Sequence, residues 1–80
     1  MIDEEKIYFI NTPVEIQDEI YHKTIDYLNN INIDYNSHVY LFFSPVPDNN
    51  GKFYFKCHLK NQYISSKYLG DEPDFIIFYS

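Results

Sequence analysis

Cys57 and His58 stand side by side in "GKFYFKCHLK", residues 51–60. A thiol beside an imidazole is the pairing in this chain closest to a nucleophile with its base. The alternation of the segment decides against it. Phe53, Phe55, Cys57 and Leu59 fall on one period-two face, and Lys52, Tyr54, Lys56, His58 and Lys60 on the other. On a strand, neighbours point to opposite faces, so thiol and ring cannot meet. Cys57 is expected in the core. His22 stands four residues from both Asp18 and Asp26, a helical spacing that brings side chains together. A metal site there needs a third protein ligand, and His22, His38 and His58 stand at no ligand spacing. The two glycines, Gly51 and Gly70, read as turns rather than as a phosphate cradle. The chain reads as no enzyme, with no metal and no cofactor.

Charge is the next source of function. Residues 1–34 hold eight acids against Lys6 and Lys23; residues 35–70 hold Asp48 against four lysines; the tail from Asp71 holds three acids and no lysine. On a helix, Glu15, Asp18, Glu19, His22 and Asp26 make one polar face with only Lys23 among them. Such a ridge suits a basic cleft, because complementary potentials speed association and select partners. These five residues are the candidate protein-binding site, and the expected partner is a protein with a basic surface. A solvated face that maintains solubility is the plainer account of the same charges.

The lysine row of 52–60 is the alternative site. "IYFINT", with Ile7, Tyr8, Phe9 and Asn11, resembles a ribonucleoprotein-motif strand of the RNA recognition motif family. That resemblance implies an exposed sheet whose aromatics stack bases. On the partner strand Lys52 and Tyr54 match the family's pattern, whereas Phe53 and Phe55 stand where it has small residues and Lys56 where it has a stacking aromatic. The alternative nucleic-acid surface is therefore Tyr8, Lys52, Tyr54, Lys56, His58 and Lys60. Two facts oppose it. The formal net charge is -6, which repels a polyanion, and the chain has no Arg, the preferred residue for bidentate phosphate and base contacts. The lysines are expected to face acids of their own molecule or of another protein.

Eighty residues fit one domain, 1–80, and 16 of them are Phe or Tyr. Each aromatic can bury about 150–250 Å², so a core is expected despite the short length. A lone cysteine favours a reducing compartment, no apolar run approaches a membrane span, and "MIDEEK" is unlike a secretory signal. A soluble, cytoplasmic protein is expected. Ile, Asn, Tyr and Lys fill 34 of the 80 positions, the mark of an AT-rich bacterial or phage genome. In size and charge the chain resembles phage or mobile-element inhibitors of host defence, such as anti-CRISPR proteins, and antitoxins or immunity proteins.

The elements that must position these residues follow from local signals. "KIYFI", 6–10, predicts a strand that is central or covered on both faces. Thr12 as N-cap, Pro13 at the first helical position and Glu15 as capping-box partner predict a helix from Pro13 to Asn29 or Asn30. Its core stripe is Ile16, Ile20, Tyr27, Leu28 and Ile31, flanked by Tyr21 and Ile25. "INIDY", 31–35, reads as an edge-like strand and "HVYLFF", 38–43, as another, or the two as one long bent strand. "SPVPDNNG" reads as a loop with a hairpin signal at Asn50-Gly51, before the strand 52–60. Residues 61–69 read as a short helix, giving a ferredoxin-like βαββαβ order, or as a fifth strand. "GDEPD" is a turn and "FIIFY" a final buried strand. Both versions are α+β: one main helix on a four- to five-stranded, mostly antiparallel sheet.

Overall fold

A computed structural model of the chain describes residues 2–35, 38–47, 50 and 53–79. Four strands, β1 (Ile7–Phe9), β2 (Tyr40–Pro47), β3 (Phe53–Lys60) and β4 (Phe75–Phe78), form one sheet in the order β1-β2-β3-β4. β1 runs parallel to β2, and the other neighbours are antiparallel. The α-helix α1 (Val14–Asn30) lies between β1 and β2 in sequence. The fold is α+β, a βαβββ order on an open mixed sheet.

The helix packs because its apolar residues recur at the helical period. Ile20, Thr24 and Leu28 are fully buried at four-residue steps, facing Leu41, Phe43, Phe55, Cys57, Phe75 and Ile77 of the sheet. Thr24 is tolerated there because its hydroxyl donates to the Ile20 carbonyl at 2.8 Å, as a buried polar group must.

The start of the helix differs from its sequence signal. Pro13 is the N-cap and no side chain caps the helix, so the Thr12–Glu15 box does not form. The Thr12 hydroxyl instead donates to the Ile10 carbonyl at 2.9 Å, and Gln17 Nε2 reaches back to the Thr12 carbonyl at 3.1 Å. At the far end the left-handed residue is Asn32, with φ 57, two residues past the Asn pair. Ile31 therefore leaves the core stripe and is exposed, and the expected strand at 31–35 is a turn followed by irregular chain.

β2 runs on through "SPVP", where a loop was expected. Its two prolines explain how. The Ile10 amide donates to the Phe43 carbonyl at 2.8 Å, so Phe43, Pro45 and Pro47 all turn their backbone nitrogens to the β1 side. β1 pairs only as far as Phe43, so beyond it the missing proline N–H groups have no ladder to break. β1 is thus a half-buried edge strand and not a central one, although both its faces are packed, with Phe9 stacked on Phe43 on the α1 side and Tyr8 against Tyr63 on the other. β2 and β3 pair as far as Pro47 opposite Phe53; the tight turn expected at Asn50-Gly51 falls partly outside the described residues. β4 is likewise an edge strand with one buried side, Phe75 and Ile77 inward and Ile76 and Phe78 outward.

Residues 61–74 are neither helix nor strand apart from one 3-10 turn at Ser66–Tyr68, so there is no ferredoxin-like second helix and no fifth strand in the sheet. The segment leaves β3, crosses the sheet's outer face and returns to β4. Tyr63 packs on Tyr8 and Phe42 with ring centroids 5.3 and 6.1 Å apart. Gly70, with φ 82, supplies a left-handed step that other residues rarely adopt. On the return, Lys56 Nζ donates to the Asp71 carbonyl at 3.1 Å and the Leu59 amide to Asp74 Oδ2 at 2.6 Å. Phe42 and His58, both on this outer face, are 2 % exposed.

Candidate protein-binding surface

The acidic helix face divides into two strips. With about 100° per residue, Val14, Gln17, Asp18, Tyr21 and His22 form one continuous stripe. It borders a groove of about 1140 Å³ whose other bank is Asp3, Glu4 and Glu5 and whose floor includes Ile2, Ile7 and Phe9. Glu15, Glu19 and Asp26 lie farther round, all exposed, as a ridge beside that groove. Asp18 and His22 stand where the two strips meet. The structure thus brings Asp18 together with three acids remote in sequence, and leaves Glu15, Glu19 and Asp26 out of the groove.

The banks are set by short-range signals. Asp3–Lys6 closes a 3-10 turn, with the Lys6 amide on the Asp3 carbonyl at 2.9 Å, and this carries three acids past the first turns of α1. Ile2, 2 % exposed, anchors that turn in the core. Across the groove Tyr21 feels the turn directly. Its phenol is pushed up, first by burial and then by the negative potentials of Tyr35 and Glu4. His22 Nε2 lies 3.6 Å from Asp18 Oδ1, both side chains open to water, where such a pair contributes little. Asp26 takes no part in that pair, and among the described residues no group of three His, Cys, Asp or Glu could hold a metal ion.

The lysine of the helix faces elsewhere. Lys23 Nζ bonds the Tyr79 carbonyl at 2.6 Å and lies 5.7 Å from the centre of its ring, at the end of β4. Lys6 projects to the sheet's outer face, 5.4 Å from the centre of the Tyr40 ring. Neither borders the groove.

The alternative surface is largely occupied by its own chain. Tyr8 is stacked on Phe42 at 5.1 Å and Tyr40 at 6.4 Å, and meets Tyr63 edge-on. Lys56 is drawn to Asp71, as above, and Lys60 Nζ lies 4.0 Å from Asp74. His58, read from sequence as one of an exposed row, is buried. Its imidazole is held below the ordinary histidine range, first by burial and then by Lys60, with Asp74 opposing and Lys56 adding. Tyr54 is half-exposed and meets Phe78 with ring centroids 5.7 Å apart; Lys52 lies outside the described residues.

Sequence reasoning missed Asp3, Glu4, Glu5, Val14, Gln17 and Tyr21 as companions of Asp18. The signal was available in part. Positions 14, 17, 18, 21 and 22 repeat at helical spacing, but the facing bank is joined to them only through the path of the chain before β1. No helix is long and apolar enough to cross a membrane. In comparisons with known proteins, no family model, curated relative or solved structure matches the chain.

Proposed function

We propose that this is a non-enzymatic binding protein that occupies a basic surface of another protein through its acidic side. Glu15, Asp18, Glu19, His22 and Asp26 would meet the partner, joined by Asp3, Glu4 and Glu5. An inhibitor of the phage or mobile-element anti-defence type, anti-CRISPR-like, or an antitoxin or immunity protein, fits a small acidic chain of this kind acting in a host cytoplasm. The observation that carries the reading is the meeting of Asp3, Glu4 and Glu5 with Asp18 along one open groove, with Lys23 turned away to β4. Like charges gathered along one groove are stabilised when a cationic surface arrives.

The test is a comparison of immobilised wild type with the variant carrying Glu15→Lys, Asp18→Lys and Asp26→Lys. All three positions are exposed, where single substitutions usually change stability by less than about 0.5 kcal/mol. A basic protein retained from host lysate by the wild type, released by salt and lost with the variant, is the expected result. Equal retention by both would refute the acidic surface as the site. The competing outcome is nucleic-acid binding through the sheet. Single-stranded RNA bound more tightly than about micromolar at physiological salt would favour it, because electrostatic binding should be weak for so acidic a chain.

A further inference from the structure

The groove beside α1 differs from the ridge in having an apolar floor. Ile7 and Phe9 of β1, Val14 at the start of α1 and Tyr21 line it between the two acidic banks. Val14 is 78 % exposed, the most exposed of the large apolar side chains among the described residues. A flat basic surface would leave that floor uncovered.

The backbone adds a second feature. β1 lies at the edge of the sheet, and the Ile10 amide is bonded to Phe43 of β2. By the alternation of a strand, the amide and carbonyl of Phe9 and the carbonyl of Ile7 then point to the free side. The Ile7 amide is already satisfied by the Glu4 carbonyl. One short stretch therefore offers strand hydrogen-bonding groups and apolar side chains together, between Asp3, Glu4 and Glu5 on one bank and Asp18 on the other.

We infer that the groove takes an extended segment of a partner protein in which an apolar side chain is flanked by lysine or arginine. The segment lies along the free edge of β1, the mode in which main-chain bonds supply affinity and alternate side chains supply specificity. Its apolar side chain covers Phe9 and Val14, and its cations reach the acids of the two banks. The charge of the banks selects against an acidic or neutral strand, including the "FIIFY" edge of a second copy. This inference rests on the reading of the acidic side as the partner site and adds which part of it confers selectivity.

Two capped synthetic peptides test it, Lys-Lys-Leu-Lys-Lys and Lys-Lys-Gly-Lys-Lys, titrated into the full chain at low salt and followed by amide chemical shifts. The leucine peptide is expected to bind about tenfold more tightly, the scale on which burying one apolar side chain acts. Its largest shifts should fall on Ile7, Phe9, Val14 and Tyr21. Val14→Ser, a change at an exposed position, should remove roughly threefold of that preference while leaving the glycine peptide unaffected. Equal affinity of the two peptides, with shifts centred on Glu15, Glu19 and Asp26, would overturn the groove and leave the acidic ridge standing. Absence of binding by both peptides would overturn the groove and the acidic surface together.

Discussion

Cys57 and His58 are consecutive residues of β3, and both are buried, yet they are buried by different kinds of structure. Cys57 faces α1, whose backbone satisfies its own hydrogen bonds and whose Thr24 hydroxyl is paired internally. Its thiol is pushed up to about 12, chiefly by burial, with the neighbouring Thr24 side chain and Ile77 backbone acting in the opposite direction. His58 faces outward and is closed over by the irregular segment 61–74. Neither of its ring nitrogens has a hydrogen-bond partner among the described residues. A helix can seal a sheet face with apolar stripes alone. A loop must bring polar groups with it, and here its carbonyl and carboxylate partners go to Lys56, Lys60 and the Leu59 amide rather than to the imidazole.

The largest difference expected between the two faces is in the cost of removing a ring. Phe43 and Phe42 are neighbours in β2, 0 % and 2 % exposed, one under α1 and one under the 61–74 segment. Phe43→Ala should destabilise by about 3–5 kcal/mol, because the helix and sheet cannot collapse into the void. Phe42→Ala should fall at or below the low end of that range, since a segment without regular structure can settle onto the sheet. Urea midpoints of the two variants measure this. Equal losses would mean that the segment is packed as rigidly as the helix.

The same contrast accounts for what could be read from the sequence. The helix, the three later strands and the inward pair Phe55 and Cys57 follow from periodicity, because each is decided by neighbours within a few positions. The outer face could not be read that way. Period two separates Cys57 from His58 correctly, but it says nothing about whether water or a returning loop covers His58. Residues 61–74 carry no regular period, and their placement depends on Tyr63 finding Tyr8 and Phe42, which are far away in the chain. The acidic groove was half legible for the same reason. Asp18 and His22 follow from helical spacing, whereas the bank of Asp3, Glu4 and Glu5 depends on how the chain enters β1. The prolines of β2 misled because their tolerance depends on where β1 ends.

A middle-sized effect should come from His58 itself. Its folded pKa is lowered, so as pH falls through about 6.5 the unfolded chain takes up a proton before the folded one does. Unfolding is then favoured, and stability should fall from about pH 7 downward until the lower folded value is reached. Lys56, Lys60 and Asp74 are the charged groups facing the ring, and Asp74 acts against the lowering. His58→Leu should flatten that slope. It should also raise stability above pH 7 by about 1 kcal/mol, because a buried polar group without a partner costs on the order of 1–3 kcal/mol. Chemical denaturation of both proteins at about pH 5.5 and 7.5 checks the sign. A slope unchanged by the substitution would show that the outer face is wet around His58, and the contrast with Cys57 would fail.

The smallest effect tests whether α1 holds its face through its ends or through its buried stripe. A side-chain N-cap is commonly worth about 1 kcal/mol, and Thr12 with Glu15 has the pattern for one. In the structure Pro13 occupies that position, brings no side-chain acceptor, and leaves the Thr12 hydroxyl to the Ile10 carbonyl. Thr12→Ala should therefore cost only one partly exposed hydrogen bond, about 0.5 kcal/mol. Gln17 should be unaffected, since it bonds the Thr12 main-chain carbonyl, which the substitution retains. A midpoint shift equivalent to about 1–2 kcal/mol would mean that the hydroxyl caps the helix in solution. The helix would then depend on its N-terminus as well as on Ile20, Thr24 and Leu28. A shift near the smaller figure leaves burial as the force that seats the helix. It also leaves Val14 and its neighbours free to line the groove, since no cap would fix the side chains of the first turn.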